Sequence, residues 1–100
     1  RKKNYLMFCG IGNPKEFENT LLKYKFNLRK KLIFTDHHNF SNKEINNLKK
    51  IAFKNKLEII TTEKDYLRLN LNQKKNKKFL KINPKKNKLN KLKKKLFDIQ

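Results

Sequence analysis

The two histidines of this 100-residue chain stand side by side, in Thr35-Asp36-His37-His38. An Asp beside a His can orient an imidazole whose other nitrogen accepts a proton, and the same side chains can help hold a metal. The competing reading is a polar loop whose side chains satisfy nearby backbone groups. A metal site would need further carboxylate or His ligands. No second cluster of that kind occurs, so no metal is expected, and Cys9, alone in an apolar segment, reads as core. A second cluster, Gly10-Ile11-Gly12-Asn13-Pro14, sets a turn against a helix start, where free N–H groups attract anions. It lacks the third Gly of the dinucleotide fingerprint and the Gly-Lys-Ser/Thr ending of a phosphate loop. A plain structural turn explains it as well. The third, Thr61-Thr62-Glu63-Lys64-Asp65, is either part of the same site or simply a capped helix with an internal ion pair.

The elements that must position these clusters alternate. Tyr5 to Cys9 is a short apolar run that reads as a buried strand. Asn13, Pro14 and Glu16 then supply a cap, a first-turn proline and a capping-box acid, and Phe17, Leu21 and Tyr24 share one helical face. Phe26 to Phe34 predicts a second strand with a basic middle. Ser41-Asn42-Lys43-Glu44 is another capping box, opening a helix with the apolar stripe Ile45, Leu48, Ile51 and Ala52. Leu57 to Thr61 predicts a third strand, and Thr62 caps a short helix after it. Asn70 to Lys77 is a Lys/Asn-rich stretch without periodicity. Lys78 to Ile82 predicts a fourth strand, and Leu89, Leu92, Leu96 and Ile99 mark a final amphipathic helix. The expectation is an α/β fold in β-α-β-α-β-α-β-α order, with a small, mainly parallel sheet flanked by helices. Residues 1–69 would be the core of one domain, 70–77 a mobile linker, and 78–100 the terminal strand and helix of the same domain. The three polar clusters all fall where a strand ends and a helix begins, which is where such sheets gather ligand-facing residues.

Composition narrows the classes. There are 28 Lys plus Arg against 8 Asp plus Glu, a formal charge of +20. One Cys forms no internal disulfide, so a stapled secreted scaffold is excluded and a reducing compartment is expected. No apolar run approaches the roughly 18 residues of a spanning helix, and no signal-peptide pattern opens the chain. It begins at Arg1 and enters a strand almost at once, which reads as a piece of a longer protein. Residues 70–100 carry 12 Lys and one Asp, whereas residues 1–69 carry 16 basic and 7 acidic groups. The charge suits phosphates or an anionic membrane surface. Only Arg1, Arg29 and Arg68 carry the planar fork that suits base edges, which argues against sequence-specific nucleic-acid reading.

Taken together, Phe8-Cys9-Gly10-Ile11-Gly12-Asn13-Pro14, Phe34-Thr35-Asp36-His37-His38 and Thr61-Thr62-Glu63-Lys64-Asp65-Tyr66-Leu67-Arg68-Leu69 resemble, in order and spacing, the C-terminal part of the tetraacyldisaccharide 4′-kinases. These enzymes of lipid A biosynthesis phosphorylate a lipid disaccharide with ATP. The resemblance is clearest over residues 5–69. It implies that this chain is the smaller, C-terminal lobe of a P-loop kinase, partnered by an N-terminal P-loop lobe that binds most of the ATP and Mg²⁺. It also implies a lipid disaccharide substrate and a place at the cytoplasmic face of the bacterial inner membrane. Carried over from the family, His37 assists an acid of the other lobe in activating the 4′-hydroxyl, with Asp36 as its acidic neighbour and His38 less constrained. Gly10, Gly12 and Asn13 would shape the interlobe edge, and Glu63, Lys64 and Asp65 would fix a second loop there. The chain departs from the family at Thr35, where Pro is usual. The nucleotide-binding loop is absent from these 100 residues, so the fragment alone is expected to be inactive.

Two other readings compete. One is a basic nucleic-acid-binding α/β module, using the Lys-rich tail and exposed aromatics such as Tyr66 and Phe79. The other is a metal-dependent phosphoesterase built on Asp-His-His, for which the additional Asp motifs are missing.

Overall fold

An uninterrupted apolar run of five residues can be buried on both sides only in the middle of a covered sheet, and that is where residues 5–9 lie. The computed structural model describes residues 3–83. Its elements are β1 (Asn4–Cys9), α1 (Pro14–Lys23), β2 (Asn27–Ile33), α2 (Asn42–Lys54), β3 (Glu58–Thr62), α3 (Glu63–Leu67), α4 (Leu71–Lys74) and β4 (Phe79–Ile82). The four strands form one all-parallel sheet in the order β2-β1-β3-β4, the α/β architecture expected from the alternating pattern.

Alternate residues of β1 serve two cores. Tyr5, Met7 and Cys9 pack with Phe17 and Leu21 of α1, together with Ile60, Leu80 and Ile82. Leu6 and Phe8 pack on the other face with Ile45, Leu48 and Ala52 of α2, and with Phe40, Leu57, Ile59, Leu69 and Phe79. Phe8 meets Phe40 and Phe79 edge to face, the geometry that aromatic quadrupoles favour. The chain runs outward from β1 to β2 through α1 and then back past β1 to β3 through α2. Because parallel crossovers share one hand, reversing direction puts the two helices on opposite faces. The reversal leaves a topological switch point between β1 and β3.

The caps read from the sequence are in place. Asn13 Oδ1 accepts from the Glu16 N–H at 3.1 Å, with Pro14 opening α1. Glu16 does not close a box but faces the cleft described below. Ser41 and Glu44 form a complete capping box on α2. β2 is an edge strand whose Arg29, Lys30 and Lys31 are exposed, and charge of this kind discourages pairing with another chain.

The stretch at 70–77, read as a linker, contains helix α4. Asn70 and Gln73 cap it reciprocally at 2.8 and 2.9 Å, and the buried Gln73 amide donates to the Phe40 carbonyl at 2.9 Å. The single turn is too short to show a 3.6-residue pattern, so polar composition concealed it. The aromatics assigned to nucleic-acid binding are also placed differently: Phe79 is buried, and Tyr66 is half-buried against it with ring centroids 5.8 Å apart. The final helix predicted around Leu89–Ile99 lies outside the described residues.

Candidate functional site

At the switch point the two central strands part. The β1–β3 ladder ends at Met7 and Ile60, although β1 continues to Cys9 and β3 to Thr62. Side chains of the third cluster replace the missing ladder bonds. Thr61 Oγ1 donates to the Phe8 carbonyl at 2.7 Å, and Asp65 Oδ2 accepts from the Gly10 N–H at 3.0 Å. The same carboxylate oxygen accepts from the Thr62 hydroxyl at 2.7 Å, while Thr62 Oγ1 caps α3 by accepting from the Asp65 N–H at 3.0 Å. Asp65 is fully buried, and its second oxygen, Oδ1, has no hydrogen-bond partner. Nearby, burial and then the Asp65 carboxylate push the Cys9 thiol up to about 11, which keeps it protonated and inert.

The second cluster is locked to the first. The Gly10 carbonyl accepts from the His37 N–H at 3.0 Å, and the His38 N–H donates to the Thr35 carbonyl at 3.1 Å. Thr35 to His38 is thus a tight turn whose third residue, His37, has φ +60°. That left-handed conformation costs a side-chain-bearing residue about 1–2 kcal/mol, and strain of this sort is characteristic of working loops. Neither Gly10 nor Gly12 has a positive φ; what they provide is room. A Cβ on Gly10 would lie 3.0 Å from the Thr35 carbonyl oxygen and 3.3 Å from His38 Cβ, and one on Gly12 would lie 3.3 Å from Asp36 Oδ2.

The two histidines are placed differently. His37 is exposed, with its Nε2 3.6 Å from Asp36 Oδ2, beyond hydrogen-bond distance. His38 stacks on Phe34, meets Phe40 edge to face, and joins Glu44 at 2.9 Å. The Ser41 N–H and then His38 hold the Glu44 carboxyl below its ordinary value. His38 therefore ties the loop to the start of α2, and His37 is the imidazole left facing solvent.

A cleft of about 430 Å³ opens at this edge, lined by Ile11, Gly12, Asn13, Asp36, Thr62 and Lys64 among others. All three clusters meet there. Asp36, Gly12, Asn13 and Lys64 line it, whereas Gly10, His37, His38, Glu63 and Asp65 are not among its lining residues; Glu63 is tied to the lining residue Asn83, accepting from its Nδ2 at 3.3 Å. Sequence reasoning did not pick out Asn83, Glu16 or Ile11 as lining residues: Asn83 belongs to no motif, Glu16 was read as a capping acid, and Ile11 was only the spacer of the second cluster. Thr62 was read as a helix cap within the third cluster and not as a site residue in its own right. Among the described residues, no group of three or more His, Cys, Asp or Glu side chains could hold a metal ion.

The architecture defines the class: a parallel α/β unit with a polar cleft at its switch point, where such sheets bind ligands. The chain belongs to the tetraacyldisaccharide-1-P 4′-kinase family, whose model matches residues 1–99. It is 40% identical over 70 residues to a tetraacyldisaccharide 4′-kinase of Rickettsia akari, and 42% identical over 69 residues to that of Rickettsia bellii. These matches cover 70% and 69% of the chain but only 22% of each relative, so the chain spans about a fifth of the length of the curated relatives it matches. No solved structure matches it.

Proposed function

We propose that this chain is the C-terminal lobe of an ATP-dependent lipid A disaccharide 4′-kinase, and that it contributes the Asp36–His37 loop to activation of the 4′-hydroxyl. The observation that carries the reading is the posture of His37. Its ring is exposed beside Asp36, which lines the cleft, on a turn of left-handed backbone bonded to Gly10.

Phosphoryl transfer depends mainly on positioning and charge stabilisation, with a smaller part for removing the proton of the nucleophile. In this reading Asp36 orients the imidazole, and the His37 ring accepts the hydroxyl proton together with an acid from the N-terminal lobe. Lys64 and the N-terminus of α1, with Asn13 at its cap, lend positive potential to the same edge. In this reading ATP and Mg²⁺ are bound mainly by the P-loop lobe. Bringing His37 to the substrate only when the lobes close would keep water away from the nucleotide. Alone, the chain should transfer no phosphate.

The lipid substrate places the enzyme at the cytoplasmic face of the inner membrane. Among the described residues no helix is long and apolar enough to cross a membrane, and the net charge of +20 favours attachment to anionic headgroups. The test of the catalytic assignment is His37→Ala in the full-length protein. Turnover should fall about 10²-fold or more while the unfolding midpoint stays the same; near-normal turnover would remove His37 from the chemistry.

A further inference from the structure

The chain also presents a surface that the cleft does not use. From Tyr66 to Asn83 there are six basic residues, Arg68, Lys74, Lys75, Lys77, Lys78 and Lys81, and not one acid. The segment folds into a corner made by the end of α3, α4 and the edge strand β4. At its centre is the half-buried Tyr66 ring, with Lys74 Nζ 4.6 Å and Lys81 Nζ 4.2 Å from its centroid. Lys49 of α2 reaches into the same corner, bonding the Lys75 carbonyl at 2.7 Å. Two leucines stand out from it, Leu67 at 70% and Leu71 at 79% exposure, on either side of the buried Leu69. The acids that precede the segment are engaged: Asp65 is buried under Gly10, and Glu63 accepts from Asn83.

We propose that this α3–α4–β4 corner docks on an anionic phospholipid surface, Leu67 and Leu71 entering the headgroup boundary while Lys74, Lys81 and Arg68 meet lipid phosphates. The inference rests on the membrane association proposed above and assigns it to a place on the molecule. Exposed aliphatic side chains in a stretch of one-sign basic charge are the composition that lipid interfaces select. A single-stranded nucleic acid would instead need open aromatic faces for stacking. Here Phe79 is buried and Tyr66 is engaged by two ammonium groups.

The test is co-sedimentation of the full-length protein with vesicles of phosphatidylethanolamine and phosphatidylglycerol, and with vesicles of phosphatidylcholine alone. The wild type should partition to the anionic vesicles and be released by salt. Each basic residue near the surface contributes about a five-fold factor, so K74Q/K81Q should bind about 25-fold more weakly. L67S/L71S, at exposed positions and without a change of charge, should bind the anionic vesicles more weakly than the wild type at low salt. Leu22→Ser, an exposed apolar position on α1, should bind like the wild type. If the wild type ignores anionic vesicles, the membrane association itself fails. If it binds them but both double variants bind equally well, this corner is not the docking surface. Variants that lose affinity for an oligonucleotide but keep their affinity for vesicles would transfer the surface to nucleic acid and overturn the proposal.

Discussion

Replacing Asp65 with Ala tests whether one buried carboxylate holds the site together. Asp65 Oδ2 accepts from the Gly10 N–H and from the Thr62 hydroxyl, in an interior where neither donor finds water. Leaving a buried donor unpaired costs about 1–3 kcal/mol. The Gly10 N–H is fixed in the backbone and bears the full cost, whereas the Thr62 hydroxyl can rotate and recover part of it. A loss of about 3 kcal/mol is therefore expected for Asp65→Ala, a large share of the roughly 5–15 kcal/mol that holds a domain folded. Asp65→Asn should cost about 1–2 kcal/mol. Its carbonyl can serve both donors, while its amide nitrogen would occupy the Oδ1 position, where no partner waits. Urea unfolding of the purified chain, followed by far-ultraviolet circular dichroism, measures both. A double-mutant cycle with Thr62→Val should show a coupling of about 1 kcal/mol or more. An Asp65→Ala variant within about 0.5 kcal/mol of wild type, or a cycle with no coupling, would refute the claim that Asp65 substitutes for the lost ladder. Because the Gly10 carbonyl receives the His37 N–H, Asp65→Asn in the full-length enzyme should also lower kcat more than it raises KM.

Four further outcomes follow from the same region. Gly10→Ala should destabilise by about 1–3 kcal/mol, because the new methyl meets a backbone carbonyl at 3.0 Å. Gly12→Ala should leave the unfolding midpoint nearly unchanged, since the half-exposed Asp36 can turn away, yet lower turnover of the full-length enzyme. His37→Gly relieves the left-handed strain and should be about 1 kcal/mol more stable than His37→Ala by urea unfolding, while being equally inactive. The raised Cys9 value means that the folded chain holds its thiol proton between the ordinary 9.0 and about 11 while the unfolded chain loses it. Stability should then fall as pH rises through that window, by up to about 1.4 kcal/mol per pH unit, and Cys9→Ala should flatten the slope in an unfolding series across alkaline pH.

Much of this was legible in the residues themselves. The apolar run at 5–9 reads as a buried strand, and the Asn13-Pro14, Ser41–Glu44 and Thr62–Asp65 signals fix helix starts through bonds spanning three residues. Local chemistry of that range survives in a one-dimensional reading. The alternation of strands and helices implies parallel pairing, because only a crossover of that length covers a sheet. The helix at Leu71–Lys74 was hidden because one capped turn has no period to detect, and Phe79 was misplaced because a short strand among lysines gives no sign of what covers it.

What the tertiary structure alone decided is the meeting of the three clusters. Residues 10, 37 and 65 converge because strand order puts β1 beside β3 and because the ladder between them stops at Met7 and Ile60. Bonds between positions 55 residues apart depend on that order, and the sequence carries no local mark of it. The difference between the two adjacent histidines was likewise settled in three dimensions. One residue's turn geometry sends His37 to solvent, while Phe34, Phe40 and Glu44 capture His38. The residue types named the chemistry that was possible, and packing chose which imidazole stays exposed to solvent.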